Sequence, residues 1–254
     1  MKRILLACLC FFALTSIAVA DDSWSTVQSR GEVIVGFAAH YPPFESKNEK
    51  TGEFEGFDVD MTKAMAEVLG VKVKFVDAEW QGLLGGLNKG DFDMLVTCMS
   101  KSETRGQNVN FSDVYYKLAD VMVVDAKNQD IKAAGDLQGK TVGVQLGSGS
   151  EQVVDAMTGF KEVKRYNYNP EAFLDLKNGR IDALVVGYAY AVNQIKQDPS
   201  YKVVGAPLAE AETVVVMRKG ADALTAKINE ALAEIRKNGA YDKAHATWLK
   251  LDEN

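Results

Sequence analysis

Two stretches of the chain, LNKGDFDMLV at residues 87–96 and LKNGRIDALV at residues 176–185, follow one pattern that decides the fold. Each reads as the end of a helix, a capping glycine, an aspartate turn and an apolar strand. Residues 31–36 and 139–144 form a looser second pair. The repetition predicts two similar lobes; the alternative is that any α/β chain repeats this order of elements.

Strands and helices alternate through the rest of the chain. Apolar stretches predict strands at residues 32–37, 71–76, 93–97, 121–124, 141–145, 183–186 and 213–217. Periodicity and capping signals predict helices at residues 58–69, 80–89, 170–179, 223–237 and 241–249. This alternation is typical of an α/β fold with largely parallel sheets. Because no Pro- or Ser-rich linker separates the halves, lobes joined by strands are favoured over independent domains.

Composition excludes several classes of protein. The chain has 254 residues, of which 47% are hydrophobic and 25% charged, which argues against disorder. The net charge of -6, without a Lys/Arg cluster, argues against binding to nucleic acid. Three Cys and two His are too few and too scattered for a disulfide framework or a metal site, so we expect no cofactor.

The first twenty residues have the pattern of a secretory signal peptide. A basic start at Lys2 and Arg3 precedes an apolar stretch and the small-residue site Ala18-Val19-Ala20. We expect export to the periplasm and cleavage after Ala20, which would leave Cys98 as the sole thiol. The alternatives are a membrane anchor and a lipoprotein modified at Cys8, the latter with almost no apolar region before it.

Candidate site residues follow three predicted strands, where ligands bind in open α/β sheets. Residues 97–105, TCMSKSETR, bring hydroxyls and an arginine that can grip a carboxylate with two parallel hydrogen bonds. Residues 145–151, QLGSGSE, bring backbone N–H groups at the start of a helix. Residues 186–190, VGYAY, bring two tyrosines. The alternatives are helix caps, a solvated arginine and tyrosines that pack between elements.

The sequence carries aromatic residues that suit a ligand wall but lacks a catalytic constellation. Tyr41 and Trp80 follow predicted strands and could flank a ligand or belong to the core. No GxSxG motif occurs, and Ser148 lies in the wrong frame for one. Cys98 would be a nucleophile only beside a base, which the sequence does not reveal.

Several motifs in register resemble the solute-binding proteins of polar amino-acid ABC importers, the type II bilobal family. They are YPPFE at residues 41–45, GFDVDM at 56–61, SKSETR at 100–105, FSDVYY at 111–116, LQGK at 137–140 and GRIDA at 179–183. The similarity covers nearly the whole chain after the signal peptide. It implies a two-lobed type II periplasmic binding protein fold, with a mixed, mostly parallel sheet flanked by helices in each lobe.

The resemblance also implies where the lobes divide. The first lobe would hold residues 21–116 and 212–254, and the second would hold residues 117–211. Two strand crossings between them would form the hinge. A ligand bound between the lobes would favour the closed state, which would then dock on a membrane permease.

The resemblance implies a role for each candidate residue. Arg105 would hold a ligand carboxylate, with Ser100 and the Cys98 carbonyl beside it and N–H groups of Ser148 and Gly149 opposite. The ligand body would lie between the rings of Tyr41 and Trp80. Its side chain would face Gln145, and an amine would meet Tyr188.

One position departs from the family pattern. Relatives that bind α-amino acids usually carry an aspartate for the ligand's ammonium where this chain has Gly187, and a second acidic position is Ala38. A buried ammonium without a carboxylate costs several kcal/mol. Either another acid moves in, with Glu45 a distant candidate, or the ligand is not a standard α-amino acid.

We therefore expect a monomeric, exported binding protein that captures a small carboxylate, an amino acid or a related compound, and delivers it to an ABC transporter permease. Two alternatives use the same scaffold. One is an exported enzyme resembling cyclohexadienyl dehydratases, although Gly187 stands where the general acid of such an enzyme would be expected. The other is a ligand-sensing subunit of a membrane receptor.

Overall fold

The computed structural model describes residues 21–250 as an α/β protein. The predicted signal peptide and Cys8 lie outside the described residues. The strands are β1 Glu32–Phe37, β2 His40–Tyr41, β3 Glu45–Lys47, β4 Phe54–Glu55, β5 Lys72–Asp77, β6 Met94–Leu95, β7 Val109–Asp125, β8 Thr141–Gln145, β9 Glu162–Tyr166, β10 Ala183–Gly187 and β11 Tyr201–Arg218. The helices are α1 Ser23–Arg30, α2 Phe57–Leu69, α3 Leu83–Lys89, α4 Glu103–Gly106, α5 Gly149–Asp155, α6 Asn169–Lys177, α7 Tyr188–Gln197, α8 Asp222–Lys237 and α9 Ala240–Trp248.

Eight strands form one sheet in the order β5-β1-β6-β11-β7-β10-β8-β9. At one end β1 is parallel to β5 and β6, and at the other β8 is parallel to β9 and β10. The central strands β7 and β11 are antiparallel to each other and to their outer neighbours. The expected mixed sheet, parallel in each half, is therefore present.

The two central strands are much longer than the sequence predicts. Strand β7 has 17 residues and β11 has 18, whereas apolar patterning marked only residues 121–124 and 213–217. The unmarked parts are half-exposed and charged, as at Lys117 and Glu210, whose side chains form an exposed ion pair. Their extension comes from backbone pairing with each other, which an apolar-pattern search does not detect.

The apolar cores divide the molecule in agreement with the predicted lobes. The buried residues of two clusters, which include Val123, Phe173, Val142 and Val185, all fall within residues 121–201. The clusters around α2 and α8 and around α3 draw almost entirely on residues before 118 and after 213. The boundaries at residues 116 and 212 stay a prediction, which these separate cores support.

Smaller differences concern short elements. A 3-10 turn at Trp80–Gly82 begins the helix expected at residues 80–89, and β6 is shorter than the strand expected at residues 93–97. Helices α1 and α7 and strand β9 were not predicted. In the part of the chain that the structure describes, no helix has the length and apolar character needed to cross a bilayer.

Candidate functional site

A partly enclosed cavity lies between the two halves of the sheet, where β1, β6, β8 and β10 end. Its wall includes many of the predicted site residues: Tyr41, Trp80, Cys98, Ser100, Gln145, Ser148 and Gly149. Because the carboxyl ends of the parallel strands from both halves converge here, residues far apart in sequence meet, as expected for α/β sheets. The ligand roles of these residues stay predictions.

The floor of the cavity is a buried hydrogen-bonded group formed by Glu45, Asp58, Thr97, Cys98 and Tyr115, which we call the floor cluster. Glu45 and Cys98 line the cavity itself. The Thr97 hydroxyl donates to Glu45 Oε1 over 2.8 Å. The Cys98 N–H and the Tyr115 hydroxyl both donate to Asp58 Oδ2, over 2.6 and 2.9 Å. These bonds hold Cys98 at a φ of 46°, a left-handed conformation that is costly outside glycine.

The two floor carboxyls lie close enough to bond to each other through a shared proton. Glu45 Oε2 and Asp58 Oδ1 are buried without a separate donor, and the two groups bond to each other once one of them is protonated. Burial and the Asp58 charge raise the pKa of Glu45 well above its ordinary value. Burial raises the pKa of Asp58 to about 7. A protonated Glu45 therefore donates to Asp58, and the cluster is satisfied internally.

The floor cluster also keeps the Cys98 thiol unreactive. Burial, followed by the nearby carboxyls of Asp58 and Glu45, raises the pKa of Cys98 well above its ordinary value. Since a thiolate is the nucleophilic form, Cys98 is chemically inert at neutral pH.

Arg105 is buried at the edge of the cavity, next to the wall residue Ser100. Its Nη1 donates to the carbonyl and hydroxyl oxygens of Ser100 over 2.6 and 2.9 Å, and Nη2 donates to the Gly147 carbonyl over 2.7 Å. The Ser102 hydroxyl accepts from the Arg105 N–H and begins α4. Arg105 is not itself part of the cavity wall; it lies behind Ser100 and spans the two sides of the cleft.

Other contacts show that the two sides are closed on each other. The Gln81 side chain donates to the Leu146 carbonyl over 2.7 Å, and the Tyr168 hydroxyl donates to Glu79. Gly149 meets Ser100 so closely that a Cβ on Gly149 would lie 2.5 Å from the Ser100 hydroxyl oxygen. A glycine is therefore required at this point of contact.

Gln145 and Ser148 are fixed by neighbouring groups at the second side of the cavity. The Ser148 hydroxyl donates to the Gln145 carbonyl and accepts from the Glu151 N–H, which caps α5. The Gln145 amide donates to the Asn167 carbonyl and accepts from Asn169 Nδ2. Asn169 Oδ1 is left buried without a donor, in the cavity wall. A ligand group that donates a hydrogen bond would satisfy it.

Tyr41 and the VGYAY segment are arranged differently from the expectation. Tyr41 stacks on Tyr190 with ring centroids 4.5 Å apart, so one of its faces is already covered. Tyr190 is 1% exposed and belongs to the core, while Tyr188 is 39% exposed, and neither lies in the cavity wall. Gly187 is set back from the wall, because the Tyr41 hydroxyl and Leu118 occupy the space in front of it.

Sequence reasoning missed several wall residues: Leu118, Asp120, Tyr168 and Asn169. Asp120 had the clearest signal, since it interrupts the apolar residues of β7 and is 2% exposed. Its partner in the adjacent antiparallel strand is Gly187. The described residues hold no group of His, Cys, Asp and Glu arranged to bind a metal ion.

Two half-sheets joined by long central strands, with a cavity between them, define the class of two-lobed type II periplasmic binding proteins. An ancestral arginine-binding protein, solved bound to arginine, has this structure, with a TM-score of 0.82 and 42% identity over 86% of this chain and 98% of that one. The chain belongs to the bacterial extracellular solute-binding proteins, family 3, whose model matches residues 33–251.

Curated relatives agree with this assignment. The L-cystine-binding protein TcyJ of Escherichia coli K12 is 31% identical over 89% of this chain and 85% of its own length. The arginine-binding extracellular protein ArtP of Bacillus subtilis is 33% identical over 97% of this chain and 96% of its own. These relatives are solute-binding proteins rather than enzymes, so the chain is a binding protein and the dehydratase interpretation is set aside.

Proposed function

We propose that this protein captures a small carboxylate ligand, an amino acid or a related compound, in the cavity between its lobes. The observation that carries the proposal is the meeting of Arg105 with the Gly147 carbonyl and of Ser100 with Gly149 across the cleft, beside the wall residue Ser148. Both sides bring groups suited to an anion: a guanidinium on one side and a helix start on the other. The relatives' reported ligands, arginine and cystine among them, support the same class.

In this proposal a hydrogen bond from Arg105 to a carbonyl of the protein is replaced by one to the ligand. Arg105 Nη2 bonds to the Gly147 carbonyl across the cleft, and a ligand carboxylate would take that position with a charge in place of a dipole. Burial lowers the pKa of Arg105, but a guanidinium stays charged at neutral pH. Ligand binding would therefore join the lobes through a charge-assisted bond and favour closure.

The central strands β7 and β11 would act as the hinge. They are the elements that pass from one half of the sheet to the other, and their pairing shifts register between Val204 and Ala209 and again near Val214. Small backbone rotations there would separate the lobes without disturbing either core.

Delivery to an ABC transporter permease follows from the family rather than from the cavity. We propose that the protein works as a monomer in the periplasm, after export by residues 1–20 and cleavage after Ala20. A closed pair of lobes would present the surface that the permease recognises. N-terminal sequencing of the exported protein would test the cleavage site, and any start other than Asp21 would contradict it.

Binding can be tested by a thermal-shift screen of amino acids, amines and carboxylates, followed by calorimetry. A ligand at a hundred times its Kd adds about 2.7 kcal/mol to the free energy of unfolding. We expect Arg105→Ala to cost about 3–5 kcal/mol of binding, hence at least about a hundredfold in Kd. Arg180→Ala is the matched control, because Arg180 pairs with Asp175 and its side chain is 64% exposed. Equal affinity in the Arg105 and Arg180 variants would contradict the role of Arg105.

A further inference from the structure

The family's usual position for an ammonium-binding aspartate is closed in this protein. A Cβ at residue 187 would lie 2.5 Å from the Tyr41 hydroxyl oxygen and 2.7 Å from Leu118 Cδ2. An aspartate side chain there would require Tyr41, which stacks on Tyr190, and Leu118 to move. With glycine at residue 187, a carboxylate for the site must come from elsewhere.

Asp120 brings a carboxylate to the cavity from the adjacent strand. It lies opposite Gly187 in the pairing of β7 with β10, and it forms part of the cavity wall. The side chain is 2% exposed. The Ser150 hydroxyl donates to Oδ1 over 2.5 Å, whereas Oδ2 is buried and receives no hydrogen bond from residues 21–250.

The bonding of Asp120 is too sparse for a structural role. A buried carboxylate is costly unless it is paired with a cation or receives several hydrogen bonds. Asp120 receives one such bond, from a neutral hydroxyl. Glu45, the other acid in the cavity wall, has Oε1 bonded to Thr97, and its carboxyl lies close enough to Asp58 to bond to it when one of the two is protonated. Asp120 is thus the carboxylate of the wall that has bonding capacity to give to a ligand.

We propose that Asp120 binds the α-ammonium group of the ligand and that the ligand is an α-amino acid. This inference rests on the proposed function, because Arg105 must take the carboxylate of the same molecule. Arg105 at the edge of the cavity and Asp120 in its wall then provide opposite charges for a zwitterion, with the anion displaced by one strand from the family's usual position. Selectivity between an amino acid and its deaminated analogue resides in Asp120.

The test compares ligands that differ only in the ammonium group. L-Arginine, L-glutamine and L-cystine are each titrated by calorimetry beside 5-guanidinopentanoate, glutaramate and 3,3′-dithiodipropionate. We expect the wild-type protein to bind one amino acid at least about a hundredfold more tightly than its deaminated partner. In Asp120→Asn this ratio falls to within a few fold, because the amino acid loses affinity and the analogue does not.

Two controls separate ligand recognition from folding. Asp113→Asn removes the same charge from an exposed position of β7 and should leave the ratio unchanged. Asp120→Asn should melt at the same temperature as the wild type or higher without ligand, since a poorly bonded buried charge has been removed. A lower melting temperature with an unchanged ligand ratio would assign Asp120 a structural role and overturn the inference.

The failure of this inference differs from the failure of the proposed function. If the deaminated compounds bind the wild type as tightly as the amino acids, or if Asp120→Asn keeps the ratio, Asp120 is not the ammonium site while the cavity still binds carboxylates. If neither set binds the wild-type protein, the proposed ligand class is wrong, and the inference falls with it.

Discussion

Two groups of buried carboxylates border the same cavity and differ in how completely they are bonded. In the floor cluster, Asp58 Oδ2 receives two donors, Glu45 Oε1 receives one, and the two carboxyls lie close enough to bond to each other when one is protonated. In the wall, Asp120 Oδ1 receives one hydroxyl, and Oδ2 receives no donor from the described residues and has no second carboxyl to bond to. Both groups are almost fully buried. Burial alone therefore does not distinguish a structural acid from a binding one; the unused lone pairs do.

The difference assigns the two groups to separate tasks. The floor cluster connects β3, α2, β7 and the turn after β6, all on the first-lobe side, and its bonds are internal. It belongs to the folded framework and keeps Cys98 in its left-handed conformation. Asp120 and Ser150 face this framework from the second-lobe side, and the Asp120 carboxylate can accept further hydrogen bonds. Substitutions in the floor should change the free energy of unfolding, and substitutions in the wall should change ligand affinity.

The largest expected effect is the loss of stability in Asp58→Ala. This change leaves the Tyr115 hydroxyl and the Glu45 carboxyl buried without their Asp58 partner, while the Cys98 N–H keeps its bond to the Tyr115 hydroxyl oxygen. We expect the free energy of unfolding to fall by about 3–5 kcal/mol. The matched variant Asp120→Ala should lose less than about 1 kcal/mol, since it removes a poorly bonded buried carboxylate that receives one hydrogen bond, from the Ser150 hydroxyl. Urea denaturation measures both, and equal losses would remove the distinction between floor and wall.

The second effect is a dependence of stability on pH that originates mainly in the floor. An acid whose pKa is higher in the folded than in the unfolded protein stabilises the folded state when it is protonated. This contribution to the free energy of unfolding is complete below the unfolded pKa and is lost as the pH rises through the folded pKa. For Asp58 this window runs from about 4 to about 7. Glu45 and Asp120, whose pKa values burial also raises, act in the same direction.

The surface acids act in the opposite direction. Hydrogen bonds from Lys177 and Ser200 lower the pKa of Asp198 to about 2, so its contribution is lost as the pH falls below about 4. We therefore expect greater stability at pH 5 than at pH 8, by about 1–3 kcal/mol. The double variant Glu45→Gln/Asp58→Asn should lose most of this difference in urea midpoints. An undiminished difference in that variant would place the titration outside the floor cluster.

The sequence predicts most strands of the half-sheets because they are apolar and several follow a glycine cap or an aspartate turn, whereas the polar edge strand β9 was missed. Residues 87–96 and 176–185 occupy equivalent places, each leading from α3 or α6 into a buried strand. The hinge was only partly predictable, since β7 and β11 continue through exposed, charged residues that pair with each other. Short-range patterns contain no information about such long-range pairing.

The site was predicted where a residue's neighbours in sequence define it. Ser148 caps α5 and Ser100 follows β6, and both reach the cavity because strand ends converge there. Asp120 was missed because its exposure to the cavity depends on its register with Gly187, a pairing between residues 67 positions apart. Tyr188 was expected beside the ligand but does not lie in the cavity wall, and this too depends on a contact between residues far apart in sequence. The stacking of Tyr41 on Tyr190 decides which tyrosine faces inward.

The smallest expected effect concerns closure of the wall onto the floor side. In Gly149→Ala the new Cβ would lie 2.5 Å from the Ser100 hydroxyl oxygen when the lobes are closed. Because Ser100 belongs to the other side of the cleft, we expect the unliganded protein to relieve the strain by separating the two sides, so its melting temperature should not fall. We expect Kd to rise about tenfold, equivalent to about 1.4 kcal/mol. Gly135→Ala is the control, since a Cβ there meets nothing within 4 Å. Unchanged affinity in Gly149→Ala would show that ligand binding does not require this contact. Asp120 would then bind the ligand without full closure of the two lobes.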